Sequence, residues 1–141
     1  MIEFYDSSVL IAVFWGDHPH HPASIAAFAA ATKDTGACGL HSLAEVYSVT
    51  TRLPIRPMIS PEQAILFLEE IRRRLTIVSL DEVDYFSTIE EIATRGVSGG
   101  RVYDALLLKC AANSNAKVIY TWNLDHFKLI APDLADRIMT P

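Results

Sequence analysis

In GGRVYDALLLKCAA, residues 99 to 112, an aspartate stands in an otherwise apolar helical run. On a helix Asp104 shares a face with Arg101, Leu107, Leu108 and Ala111. Burying an ionised carboxylate there is costly unless something pairs with it. Three other segments carry groups able to join it: Asp6, Glu45, and the pair Asn123 and Asp125. Hard oxygen donors gathered from distant parts of a chain suit Mg²⁺ or Mn²⁺, and a bound cation would offset the burial of Asp104.

Each acid also has a plainer reading. Asp6 fits the N-cap of a helix starting at Ser7 or Ser8. Ser42-Leu43-Ala44-Glu45 has the spacing of a capping box, and Asp125 suits a turn. For Asp104, set past its helix start, the plainer reading is a salt bridge with Arg101 or Lys109.

The elements around these residues decide whether they can meet. IEFYD reads as a strand ending at Asp6, followed by a short apolar helix from Ser8 to Trp15. Gly16-Asp17-His18-Pro19 breaks that helix. Residues 22–33 form an alanine-rich helix with Pro22 in its first turn, and Ala37 to Leu40 is a weak strand. A helix follows from His41 to about Arg52, and the two prolines of 53–59 make a loop. Ser60-Pro61-Glu62-Gln63 starts a helix by N-cap, first-turn proline and capping box; it runs to about Arg74. A strand spans Leu75 to Leu80, a helix Asp81 to Thr94, and a glycine-rich loop 96–100. The Asp104 helix comes next, then the strand Lys117 to Thr121, a short helix, and a last strand at Arg137 to Thr140.

Strands alternating with helices predict an α/β fold: a short, mostly parallel sheet of four to five strands between helical layers. Ligands of such sheets bind at the carboxyl ends of the strands. Asp6, Glu45, Asn123 and Asp125 all follow strands closely. The Asp104 helix starts near the same edge, because it must run back antiparallel to the strands.

The 141 residues suit one domain, residues 1–141, with no linker or internal repeat. Half the chain is hydrophobic and 21% is charged, a globular balance. No apolar run is long enough to span a membrane, and the first residues lack a basic secretory signature. Cys38 and Cys110 match no metal spacing and read as reduced core thiols of a cytoplasmic protein. The net charge of −5 does not advertise nucleic-acid binding, although acids around a cation site add negative charge that the cation neutralises.

Other patterns carry less. Gly96-Val97-Ser98-Gly99-Gly100 has the G-x-S-x-G form of a nucleophile elbow, but helix rather than strand precedes it. His18, His20 and His21 lack an acid or cysteine partner at helical spacing and read as a polar loop. Arg72-Arg73-Arg74 can pair with Glu69 and Glu70 on one helix face. The alanine-rich apolar helices hint at a dimer or partner surface.

Four stretches, in order, resemble a known family: D-S-S-V-L after the first strand, S-L-A-E-V, G-R-V-Y-D-A-L-L and Y-T-W-N-L-D-H-F. The chain resembles the PIN-domain ribonucleases, in particular the VapC-type toxins of toxin–antitoxin modules. The resemblance implies a three-layer PIN-like α/β/α fold and metal-dependent endoribonuclease activity with Mg²⁺ or Mn²⁺. It implies Asp6, Glu45 and Asp104 as metal-binding acids, with Asn123 or Asp125 at the fourth position, where the family carries an acid. Ser7, Ser8 and Thr121 match hydroxyls supporting the first aspartate. Arg52, Arg56 and Arg101 are candidate RNA contacts. The implied partners are an RNA substrate, a cognate antitoxin and a second copy of the chain. Competing readings are an RNA-processing nuclease without an antitoxin and an inactive PIN-like module that binds RNA or protein. A haloacid-type phosphatase needs a second aspartate two residues after Asp6, where Ser8 stands.

Overall fold

The computed structural model describes all of residues 1–141. Five strands form one sheet: β1 (Glu3–Tyr5), β2 (Gly36–Gly39), β3 (Thr76–Val78), β4 (Val118–Tyr120) and β5 (Ile138–Met139). The spatial order is β3-β2-β1-β4-β5 and every pairing is parallel. The helices are α1 (Ser7–Phe14), α2 (His21–Ala30), α3 (Leu40–Thr50), α4 (Pro61–Arg74), α5 (Glu82–Thr94), α6 (Arg101–Asn113) and α7 (Leu124–Ile130). A 3₁₀ turn over Pro132–Arg137 leads into β5.

Period-two alternation sends neighbouring strand residues to opposite faces. Phe4, Ala37 and Ile119 pack with α5, α6 and α7 around Ile92, Leu107, Leu108, Phe127 and Ile130. Tyr5 and Cys38 face the other layer, with Val9, Leu10 and Val13 of α1, Phe28 of α2, Val46 of α3 and Ile71 of α4. The three layers thus follow from a two-sided apolar sheet, as expected for parallel strands.

The elements match the sequence reading, with shifted ends. α1 starts at Ser7 because Asp6 caps it. α2 stops at Ala30, where Thr35 Oγ1 accepts from the Thr32 backbone at 2.9 Å and turns the chain. β3 is only Thr76–Val78. The Ser60 capping box is present, with both reciprocal bonds made. In the arginine run Glu70 pairs with Arg74 as expected, whereas Arg73 also turns to Glu70 instead of Glu69, and Arg74 donates to the Ala29 carbonyl at 2.9 Å.

One glycine positions a site element. A Cβ on Gly39 would stand 2.4 Å from Leu107 Cδ2, so α6 sits closer to the end of β2 than any larger residue allows. Leu107 is three residues past Asp104, and the approach at Gly39 therefore helps set that aspartate at the sheet edge. Gly39→Ala should destabilise the fold by about 1–3 kcal/mol through overpacking. The double variant with Leu107→Ala should lose less than the sum of the two single losses. Urea denaturation of all three variants measures both quantities; additive losses would show that the two positions do not compete for space.

Candidate active site

β1, the central strand, delivers Asp6 to the carboxyl edge of the sheet. The backbone there is extended, and Oδ2 accepts from the Ser8 backbone N–H at 3.3 Å, closing the start of α1. The capping role is therefore real, but the same oxygen also accepts from Ser8 Oγ at 2.7 Å and Thr121 Oγ1 at 2.9 Å. Both hydroxyls accept in turn, Ser8 from the Trp122 N–H and Thr121 from the Asn123 N–H, each at 3.0 Å. Asp6 is 2% exposed. Burial pushes its carboxyl above the ordinary aspartate value, and the bonds from Ser8 and Thr121 oppose that shift. None of these bonds uses Oδ1.

Glu45 comes from the second turn of α3, and here the structure corrects the capping-box reading. β2 passes directly into the helix at Leu40, so Ser42 lies inside the first turn and no side chain caps this end. Ser42 is fully buried. Ser7 Oγ stands 2.8 Å from Ser42 Oγ and 3.2 Å from Glu45 Oε1, so its one proton is shared between them. His41 Nε2 lies 3.8 Å from the same Glu45 oxygen. Burial raises the Glu45 pKa first and the nearby Asp6 raises it further, against the Ser7 bond.

Asp104 is the fourth residue of α6, immediately before the buried run Ala105 to Leu108. The salt bridge with Arg101 or Lys109 is absent: the only ion pairs of the chain are His41–Glu45 and those of Glu70. The Asp104 carboxyl is pushed up to about 6, by burial first, then by Asp6 and Glu45, with His126 pulling it back. The three acids thus repel one another across the edge with no lysine or arginine between them. No three Asp, Glu, His or Cys side chains stand at metal-coordination spacing, so the carboxylates are near enough to interact without closing on a common point.

Asn123 and Asp125 lie at the start of α7 and both are exposed. Asp125 does not enter the charge balance of Asp104, whereas His126 does. His126 and His41 are the two residues near the acids that the spacing of carboxylates did not single out. Each is three or four residues from a noted position on its helix, His41 from Glu45 and His126 from Asn123, and that register was the available signal. Arg52, Arg56 and Arg101 are exposed, and Arg52 Nε donates to its own helix at the Ser48 carbonyl, 2.9 Å away. Ser98 sits in an exposed loop between α5 and α6 with no strand before it, which removes the nucleophile-elbow reading.

Comparison with known proteins gives three findings. A family model described as the PIN domain matches residues 4–131. Ribonuclease VapC27 of Mycobacterium tuberculosis is 34% identical over 113 residues, spanning 80% of this chain and 79% of the relative. Ribonuclease VapC40 of the same species is 32% identical over 114 residues, 81% of each. Among solved structures, the M. tuberculosis VapC20 toxin, which cleaves the sarcin–ricin loop, superposes with a TM-score of 0.71 at 14% identity over 88% of this chain and 92% of its own. VapBC2 from Rickettsia felis, bound to a promoter DNA fragment, gives a TM-score of 0.68 at 19% identity over 99% of this chain and 98% of its own.

Crowded acids make stability depend on pH in a defined direction. An aspartate held near 6 in the fold, above its ordinary 3.8, binds its proton more tightly folded than unfolded. Its contribution to stability is complete below the ordinary value and is lost as pH rises through about 6. In chelator, the melting temperature of the wild type should therefore fall between about pH 4 and 6 more steeply than that of Asp104→Asn. Parallel profiles for the two proteins would refute the crowding.

Proposed function

Since this chain belongs to the PIN domain family, we propose that it is a divalent-metal-dependent endoribonuclease, the toxin of a VapBC-type pair. The observation that carries this is the convergence of Asp6, Glu45 and Asp104 on one sheet edge without a cationic side chain to neutralise them. Both curated relatives named above are ribonucleases. Two VapBC complexes of this fold, from R. felis and from nontypeable Haemophilus influenzae, support a protein antitoxin as partner. The free, buried Cys38 and Cys110 suit the reducing cytoplasm, and no helix is long and apolar enough to cross a membrane. Exposed Leu40, Val83, Tyr85 and Phe86 give apolar surface for a second copy of the chain.

The donor set fits a hard divalent ion, Mg²⁺ or Mn²⁺. All three acids offer carboxylate oxygens, and the Asp6 bonds fall on Oδ2 while the Ser7 and His41 approaches to Glu45 fall on Oε1. Asp6 and Asp104 would hold the ion, with Glu45 as a third ligand or as the base. When bound, the ion polarises the scissile phosphodiester and acidifies a water. The chain's own groups do the rest. Ser8 and Thr121 fix the Asp6 carboxylate through Oδ2, and Ser7 orients Glu45 through Oε1. The raised pKa of Glu45 makes it a better proton acceptor at neutral pH than an ordinary glutamate. Asn123, whose backbone N–H donates to Thr121, would orient a phosphate oxygen or water with its amide, with Asp125 beyond it. Arg52, Arg56 and Arg101 are exposed cations available to the RNA backbone.

With Mg²⁺ and a mixed cellular RNA pool, the wild type should generate discrete new 5′ ends. Asp104→Asn and Asp6→Asn should abolish them, and Glu45→Gln should slow cleavage by roughly 10²–10⁴-fold. Mn²⁺ at ~100 times its Kd should stabilise the wild type by about 2.7 kcal/mol, and the Asp6→Asn, Asp104→Asn double variant should show no such rise. Wild-type protein that neither cuts RNA nor is stabilised by Mn²⁺ would reduce the chain to a binding module.

A further inference from the structure

Two pairs of stacked rings frame the carboxylate edge. His20 lies on Trp122 with ring centroids 3.8 Å apart and planes 8° from parallel. His41 lies on Tyr103 at 4.7 Å, also at 8°. The topology sets both. β2 and β4 flank β1, and Asp6 follows the last residue of β1 directly. His41 stands two residues past the end of β2, and Trp122 two residues past the end of β4.

Each stack is also tied to the acids. His41 Nε2 is 3.8 Å from Glu45 Oε1, and Tyr103 immediately precedes Asp104. On the other side the Trp122 N–H donates to Ser8 Oγ, which donates to Asp6 Oδ2 at 2.7 Å.

Core filling does not account for these pairs. The core pair Tyr5–Phe28 meets edge to face, with both residues buried. In the edge stacks His20 is exposed, Tyr103 is 45% exposed and the His41 side chain 37%. Trp122 is the anchored member, its Nε1 donating at 2.9 Å to the fully buried Ser24. Flat rings held parallel and open to solvent suit another flat ring. The chain is net negative, so stacking adds hold on a polyanion beyond what the exposed Arg52, Arg56 and Arg101 supply.

We infer that the His20–Trp122 and His41–Tyr103 stacks are platforms for unpaired nucleobases on the two sides of the phosphodiester presented to Asp6, Glu45 and Asp104. The inference rests on the reading of this edge as an RNA-cutting site, and it adds which rings of this chain hold the bases there. The four rings are positioning residues: they hold bases and leave the bond chemistry to the acids. Base–aromatic stacking of ordinary strength makes each platform responsible for about tenfold in affinity.

The test uses the full chain in an Asp104→Asn background, with labelled oligoadenylate and an abasic ribose-phosphate strand of equal length as probes. Oligoadenylate should bind more tightly than the abasic strand. Tyr103→Leu and His20→Ala should each weaken oligoadenylate binding about tenfold while leaving the abasic strand unchanged, and Tyr103→Phe should restore it. With Asp104 intact, Tyr103→Leu should raise KM about tenfold while kcat changes less than about twofold. Equal binding of the two probes, or unchanged oligoadenylate binding in both variants, would overturn the platforms even if the wild type cuts RNA. A wild type that binds oligoadenylate through these rings yet cuts no RNA would overturn the nuclease reading instead.

Discussion

Like charges crowded at a sheet edge are the constraint from which the rest of this structure is built. Asp6 raises the proton affinity of Glu45, both raise that of Asp104, and no lysine or arginine relieves them. Such a cluster persists only if each carboxylate is fixed by something stronger than the repulsion. Asp6 is held by Ser8 and Thr121, and Glu45 by Ser7, itself braced on the buried Ser42. Asp104 has no such hydroxyl. It is held by its helix, whose next four residues are buried and whose Leu107 lies against Gly39. Two fixing devices are in use, hydroxyl bonding for the acids facing α1 and apolar packing for the acid on α6.

Much of this was legible in the sequence. Alternating strands and helices gave the three-layer parallel sheet, and an aspartate beside ALLL announced a charge that packing alone could not explain. Element ends were less legible, since one or two residues decide whether a turn belongs to the strand or to the helix. Glu45 shows the ambiguity: Ser-x-x-Glu has the same spacing at a helix start and inside one. The outcome turned on β2 passing into α3 at Gly39 without a loop, which placed Ser42 in the first turn instead of before it.

The histidines were illegible for a different reason. Carboxylates betray themselves because burying their charge is costly, whereas a histidine on a partly or fully exposed helix surface breaks no apolar pattern around it. His126 near Asp104 and His41 beside Glu45 emerge only when α7 and α3 are set beside the acids. Asp125, adjacent to His126, reads as the more attractive site residue in the sequence, yet both are exposed and only His126 acts on the charge of Asp104.

Asp6 also shows that structural and chemical roles need not compete. Its Oδ2 caps α1 and gathers two hydroxyls, a set of bonds that would justify the residue on stability grounds alone. Those bonds lower the cost of burying the carboxylate and fix its orientation, while Oδ1 takes no part in them. A residue that merely caps a helix does not need 98% burial or a threonine, just past the end of β4, from 115 positions away. The cap is thus the means by which a charged group is kept rigid at the centre of the edge, so that stability spent there is recovered as a preorganised ligand. The same economy extends outward: the hydroxyl that binds Asp6 also accepts from the backbone of Trp122, so the acid and the neighbouring ring stack are fixed by one network.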